Sequence, residues 1–194
     1  MHIIFLAKKK VGVITIIVGL MILLFGIGYS FDGGLRFTGL MQNNIYSLKN
    51  YDLPKEKFSY KLPSEWTTKL RDLSFGGIIY HNEFVSSDAY VSGVLEIIST
   101  KEVINTYIDN SKSFKEKNSF FQNYSTSSIT IQNEKGSLVS YDISYTDKPV
   151  YNNHDYYIKK GDNLYKISFS ARKDKYKDSL TSIYDTIVNS MSFN

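Results

Sequence analysis

Cysteine is absent from this 194-residue chain. That excludes a disulfide framework, a thiol nucleophile, thiolate-bound zinc or iron–sulfur clusters, and lipoprotein-type lipid attachment at a mature N-terminal cysteine. Histidine is nearly as scarce, with His2, His81 and His154 only. A Ser-His-acid triad has few places to form, and no Gly-x-Ser-x-Gly elbow, His-Glu-x-x-His helix or phosphate-binding loop occurs. Arginine (Arg36, Arg71, Arg172) and alanine (Ala7, Ala89, Ala171) are rare beside abundant Lys, Ile, Asn and Tyr. That bias is expected of AT-rich coding in a low-GC, Gram-positive bacterium.

Positive charge is also missing where a polyanion would need it. Of 23 Lys and Arg, Lys8, Lys9 and Lys10 stand in a 30-residue N-terminal segment without acids, leaving 20 cations against 19 anions beyond it. Nucleic-acid binding needs clustered positive charge, so no nucleic-acid partner is expected. What the chain does have is apolar and aromatic material, 42% and 15% of its residues, enough for the packed core of one domain.

Residues 11–29 read VGVITIIVGLMILLFGIGY, with no charge and Thr15 as the polar interruption. As a helix at ~1.5 Å per residue this run spans about 28 Å, close to the ~30 Å hydrocarbon core of a bilayer. The three lysines on its near side predict a cytoplasmic N-terminus and an extracytoplasmic remainder. Cleavage after Gly28 and Ser30 is the competing reading, but the run is longer than a signal-peptide core and ends without an Ala-x-Ala pattern. The expected organisation is a cytoplasmic stub over 1–10, a transmembrane signal anchor over 11–30, a linker over 31–56 and an outer domain over 57–194 of a single-pass cell-membrane protein. Gly33, Gly34, Gly39, Asn43, Asn44, Asn50 and Pro54 give the linker its tether-like composition.

Beyond the linker the apolar period becomes two. Phe58, Tyr60 and Leu62 oppose Lys57, Ser59 and Lys61, as in a half-buried strand. The same reading gives strands through Val91, Leu95 and Ile97, through Ile129 and Ile131, and through Val139, Tyr141, Ile143 and Tyr145. A strand with Gly76 and Gly77 at a bulge is expected over 75–80. Tyr156 and Ile158, the turn at Gly161, Asp162 and Asn163, and then Tyr165, Ile167 and Phe169 predict a hairpin. Ser99 and Glu102 form a capping-box signature before Val103, Ile104, Tyr107, Ile108 and Phe114, predicting a helix over 100–117. Tyr176, Leu180, Ile183, Tyr184, Ile187, Val188 and Met191 predict a second, C-terminal helix. One-faced helices must cover a sheet, so the expected class is α+β, an antiparallel sheet flanked by helices.

The segment FSYKLPSEW, residues 58–66, resembles the opening strand and Pro-x-x-Trp turn of PsbP-like domains, the family of the extrinsic photosystem II protein and its bacterial relatives. The ending is similar too, with Tyr165, Ile167 and Phe169 in a hairpin strand before an amphipathic helix closing near Phe193. The resemblance covers 57–194. It implies an α/β/α sandwich and a non-enzymatic accessory or binding role, without implying oxygen evolution.

Candidate chemistry is thin, and no catalytic, cofactor-binding or metal residue is assigned. The alternative function, an extracytoplasmic metal-dependent or hydrolytic enzyme, needs His81 or His154 to converge with acids in a pocket; in its paired form, His81 with Glu83 and His154 with Asp155 make a four-ligand metal site. The plainer reading makes them polar loop residues. Tyr151, Tyr156, Tyr157 and Tyr165 could form an aromatic binding face for carbohydrate or peptide. A sensor is a third reading, acting through a partner because the stub is too short to fold. The leading expectation is a membrane-anchored binding or assembly accessory, with lipid as one partner through residues 11–30 and an unidentified membrane or cell-wall protein as the other. Full-length chain is expected to stay with the membrane through a carbonate wash; its release into the soluble fraction would refute the anchor.

Overall fold

Phe58, Tyr60 and Leu62 alternate with more exposed neighbours, and in the computed structural model, which describes residues 45–73, 76–145 and 148–193, all three are wholly buried on strand β2 (Phe58–Pro63). Burying an apolar or aromatic side chain of this size is worth ~1.5–3 kcal/mol, so one face of β2 alone supplies a core. Strand β1 (Leu48–Leu53) and the two-residue β10 (Ser192–Phe193) pair with it in an antiparallel sheet of order β1-β2-β10. Residues 48–53 fall within the expected linker, so the tether gives way to the domain earlier than expected. Leu48, Tyr51 and Leu53 pack on the core, with Tyr51 stacked on Tyr60 at 5.0 Å, but their uneven spacing hides the strand.

A second antiparallel sheet has seven strands: β3 (Thr67–Arg71), β4 (Ile78–Val85), β5 (Val91–Ser99), β6 (Phe120–Ile131), β7 (Glu134–Ser144), β8 (Tyr151–Lys160) and β9 (Asn163–Arg172). Their order is β3-β4-β5-β9-β8-β7-β6. Helix α1 (Ile104–Asn118) connects β5 to β6, and helix α2 (Asp178–Asn189) comes after β9. The expected β8–β9 hairpin forms, turning at Gly161 with φ +59°. Strand β6 is far longer than the short run expected at 129–131, because Ser and Thr fill its exposed positions. The strand expected over 75–80 begins at Ile78 and runs on to Val85, with its bulge between Ile78 and Tyr80; Phe75 lies outside the described residues.

Both faces of the large sheet are covered. Helix α2 and the small sheet pack on one, where Leu180, Ile183, Tyr184, Ile187 and Val188 meet Phe84, Leu95, Tyr156, Ile167 and Phe169. Helix α1 covers part of the other, with Ile108 over Val139, Tyr141, Tyr157 and Leu164. The architecture is α+β, as expected. The capping box is not used: α1 starts at Ile104 with Val103 at its cap and no side-chain cap bond, while Thr100 Oγ1 accepts from the Glu102 amide. Phe114 is 70% exposed rather than part of the buried stripe. At ~100° per residue it lies about 80° away from the line of Ile104, whereas Lys115 lies within about 20° of it.

The expected stub, the anchor over 11–30 and the linker up to 44 lie outside the described residues. Among those described, no helix is long and apolar enough to cross a membrane.

One close approach locks β4 and β5 together. At Gly93 a Cβ would lie 2.5 Å from the Phe84 ring and 2.2 Å from the Ser168 carbonyl oxygen, so only glycine lets Phe84 lie against β5. Phe84 in turn stacks on Trp66 at 5.6 Å. Overpacking of this kind costs ~1–3 kcal/mol. Gly93→Ala should lower unfolding free energy by at least that much in urea titration followed by Trp66 emission; an unchanged midpoint would contradict the packing.

Candidate functional site

His81 and His154 both lie inside strands rather than on the loops expected for them. His81 belongs to a row crossing the α1 side of the sheet, set by register: Arg71 opposite His81, His81 opposite Glu96, Glu96 opposite Lys166, and Lys166 opposite Tyr157. Glu83, two residues along β4, joins it between Arg71 and His81. Arg71 Nη2 lies 3.1 Å from Glu83 Oε2, His81 bridges Glu83 Oε1 (3.6 Å) and Glu96 Oε1 (2.8 Å), and Lys166 Nζ reaches Glu96 Oε2 (3.0 Å). The row continues to Asp155, 2% exposed, which accepts from Lys115 Nζ (2.9 Å), Tyr141 OH (3.0 Å) and Tyr157 OH (3.2 Å). Burial pushes the Asp155 carboxyl up, but Lys115 and Lys166 outweigh burial and hold it below the usual range. Burial likewise pushes Glu96 up and is outweighed by Lys166 and His81.

His154 faces the other way. It stacks on Tyr176 at 5.8 Å and lies 5.6 Å from the Tyr184 ring, on the α2 side. Its Nε2–H donates to Asn152 Oδ1 (3.0 Å), leaving Nδ1 to accept from Ser140 Oγ (3.4 Å). The two histidines are therefore on opposite faces of the sheet and cannot share a ligand sphere. His154 and Asp155 are consecutive strand residues and also point apart. His81 and Glu83 do meet, but Arg71 and Lys166 engage the carboxylates around them. Among the described residues no three His, Asp or Glu side chains gather as a metal ion would require.

The aromatic face around the last hairpin does not form either. Tyr156 and Tyr157 do point to opposite sides, as alternation predicts, yet both are buried because both sides are covered, and Tyr165 is buried as well. Only Tyr151 keeps partial exposure.

A cleft of about 570 Å³ lies between the β4–β5 connection, the turn before β3 and the segment leading into α2. Ile45, Trp66, Val91, Leu180 and Ile183 give it an apolar floor. Each wall is stapled. Asp88 Oδ1 accepts from Ser86 Oγ (2.6 Å) and the Tyr90 amide (3.0 Å), and Ser87 Oγ donates to the Glu65 carbonyl (3.2 Å), joining this wall to the Pro63–Trp66 turn. That turn closes through the Trp66 amide on the Pro63 carbonyl at 3.1 Å. Ala89, at φ +58°, sits in the left-handed region that non-glycine residues seldom adopt, and it delivers Tyr90 to the rim, 46% exposed.

The opposite wall is fixed from behind. Arg172 grips Asp174 through Nε (3.1 Å) and Nη2 (2.8 Å), and Lys173 Nζ donates to buried Asp142 (2.7 Å). Tyr176 hydrogen bonds Thr181 at 2.7 Å and stacks on His154, while Lys175 Nζ lies 5.5 Å from the Tyr90 ring across the mouth. Asp88 and Asp174 are thus engaged by their own neighbours, and Lys175 and Lys177 bring positive charge to the rim. By sequence, Trp66 and Tyr176 read as structural residues. The Ser86-Ser87-Asp88 cluster is a legible turn signal, but nothing in it marks a cleft.

No protein-family model matches the sequence, and no curated protein matches it. Solved structures do match in fold. Cyanobacterial PsbP (CyanoP) from Synechocystis sp. PCC 6803 aligns with TM-score 0.60 at 13% identity, over 76% of this chain and 93% of that one. A crystal structure from Bacteroides thetaiotaomicron VPI-5482 aligns with TM-score 0.51 at 14% identity, over 75% of this chain and 48% of that one. At such identities the shared property is the fold, and the described domain has a PsbP-like one.

Burial holds the His154 imidazole below its ordinary value, outweighing the nearby Asp155, Asp185 and Asp142. The unfolded chain takes this proton near pH 6.5, the folded chain only lower, so this group withdraws stability as pH falls from about 6.5 to the folded value. His154→Gln should therefore flatten the loss of melting temperature between pH 7 and pH 5; equal slopes in both proteins would refute the shielded, neutral imidazole.

Proposed function

We propose that this PsbP-like domain is a binding or assembly accessory, not itself an enzyme, held at the outer face of the cytoplasmic membrane by residues 11–30. The observation that carries the reading is the stapled cleft with its apolar floor. Its volume falls within the range of ligand pockets, and it sets polar walls around an apolar floor. Its walls are fixed before anything binds, which lowers the ordering cost of association. The membrane placement rests on the uncharged run after Lys8, Lys9 and Lys10. Tethering would raise the domain's effective concentration toward membrane or wall components.

The occupant that fits is an apolar or aromatic group bearing negative charge, supplied by a neighbouring membrane or cell-wall protein. Trp66 and Leu180 would take the apolar part, Tyr90 would stack on it, and Lys175 and Lys177 would meet the charge. The paired form of the enzyme alternative, with His81 and His154 in one site, has lost its geometric premise, since the two rings lie on opposite faces of the sheet.

A photoreactive benzoyl-phenylalanine placed at Tyr90 of the full chain, in its own membrane, should capture a discrete adduct that the same group at exposed Asp109 on α1 does not. Lys175→Glu combined with Lys177→Glu should abolish it. Equal labelling from both positions, or none from Tyr90, would overturn the reading.

A further inference from the structure

Among the described residues, β6 ends the large sheet and has a strand neighbour on one side only. The other edges are short, charged or both: β3 is five residues with Lys69 and Arg71, β1 carries Lys49 and Asp52, and β10 has two residues. Strand β6 is twelve residues, FFQNYSTSSITI, without a single charge. Proteins ordinarily blunt an exposed edge with charge, proline or brevity, because its free amides and carbonyls are a template for another strand. Here the bulge between Gln122 and Ser125, with Asn123 at φ +54°, interrupts only the beginning. A regular stretch remains from Ser125 to Ile131.

The turn into β7 fixes which backbone groups face outward. Ile131 pairs with Glu134 across a two-residue loop, Gln132 and Asn133, both at positive φ (52° and 68°), the pattern of a type I′ hairpin. In that geometry the residues flanking the loop form a hydrogen-bonded pair, and bonded pairs then recur at every second residue. Ser125, Ser127, Ile129 and Ile131 therefore direct their amides and carbonyls to β7. Thr126, Ser128 and Thr130 direct theirs away from the sheet, and all three side chains are exposed.

We infer that this edge pairs antiparallel with β6 of a second copy of the chain, about a two-fold axis at Ser128. The outward set is symmetric about that residue, so Ser128 meets its own counterpart and Thr126 meets Thr130 in both directions. About six backbone hydrogen bonds form across such a junction. Cross-strand Thr pairs are favourable, and an uncharged strand meets its copy without like-charge repulsion. The partner contributes the same surface, as a closed two-fold interface requires.

The absence of cysteine makes the register testable in the full chain in its membrane. Under mild oxidation Ser128→Cys should give a covalent dimer, whereas Thr126→Cys and Thr130→Cys should each give almost none alone and a mixed dimer when expressed together. Ser128→Lys should halve the molar mass of the detergent-solubilised protein while leaving its circular dichroism unchanged. A wild-type monomer, or cross-linking indifferent to position, would overturn the inference.

Discussion

Strands β8 and β9 are buried on both faces, and most of the molecule's peculiarities stem from that constraint. An antiparallel sheet with one wet face can place polar residues at every second position. Here the second face of the central strands lies under α1, so Asp155 and Lys166 cannot simply point into water. Their solution is mutual: Lys166 joins Glu96, Asp155 takes Lys115 and two tyrosine hydroxyls, and the row runs outward through His81 to the half-exposed Glu83 and Arg71. Removing one member of a buried pair costs ~3–5 kcal/mol because it strands the other. That cost explains why ionisable residues with suggestive chemistry serve as a frame across five strands and a helix.

The same constraint accounts for the tyrosines. A chain rich in tyrosine would ordinarily display many of them, and the cluster around the last hairpin has the composition of a binding face. Two covered sides turn it into two halves of a core: Tyr156 packs toward Phe169 and α2, Tyr157 toward Tyr107 and α1. At the cleft rim the exposed aromatic residue is Tyr90, which belongs to neither half and follows the left-handed Ala89.

Cleft and core are mechanically continuous. Gly93 admits Phe84, Phe84 supports Trp66, and Trp66 floors the cleft; on the other wall His154 backs Tyr176 and Asp142 anchors Lys173. The PsbP-like fold thus supplies the platform on which Tyr90, Lys175 and Lys177 stand at the rim. The free edge at β6 lies at the far end of the sheet order from β3 and β4. Pairing there would leave the cleft mouth to another partner.

The α+β class was legible in the apolar periods alone, because period-two and period-3.6 patterns can be satisfied only by strands and helices with those faces buried. The sequence also located β2, the β8–β9 hairpin and the C-terminal helix, each carrying a long regular pattern of large side chains. The legible part stopped where a residue's role depends on what lies across the sheet. Strand β1 has irregular apolar spacing, β3 is exposed, and the middle of β6 is a run of Ser and Thr, so none announces itself locally. Whether His81 and His154 meet is decided by strand register and alternation, which place them on opposite faces. The cleft joins segments around residues 66, 88 and 176, and only tertiary packing brings such distant stretches of backbone to one opening.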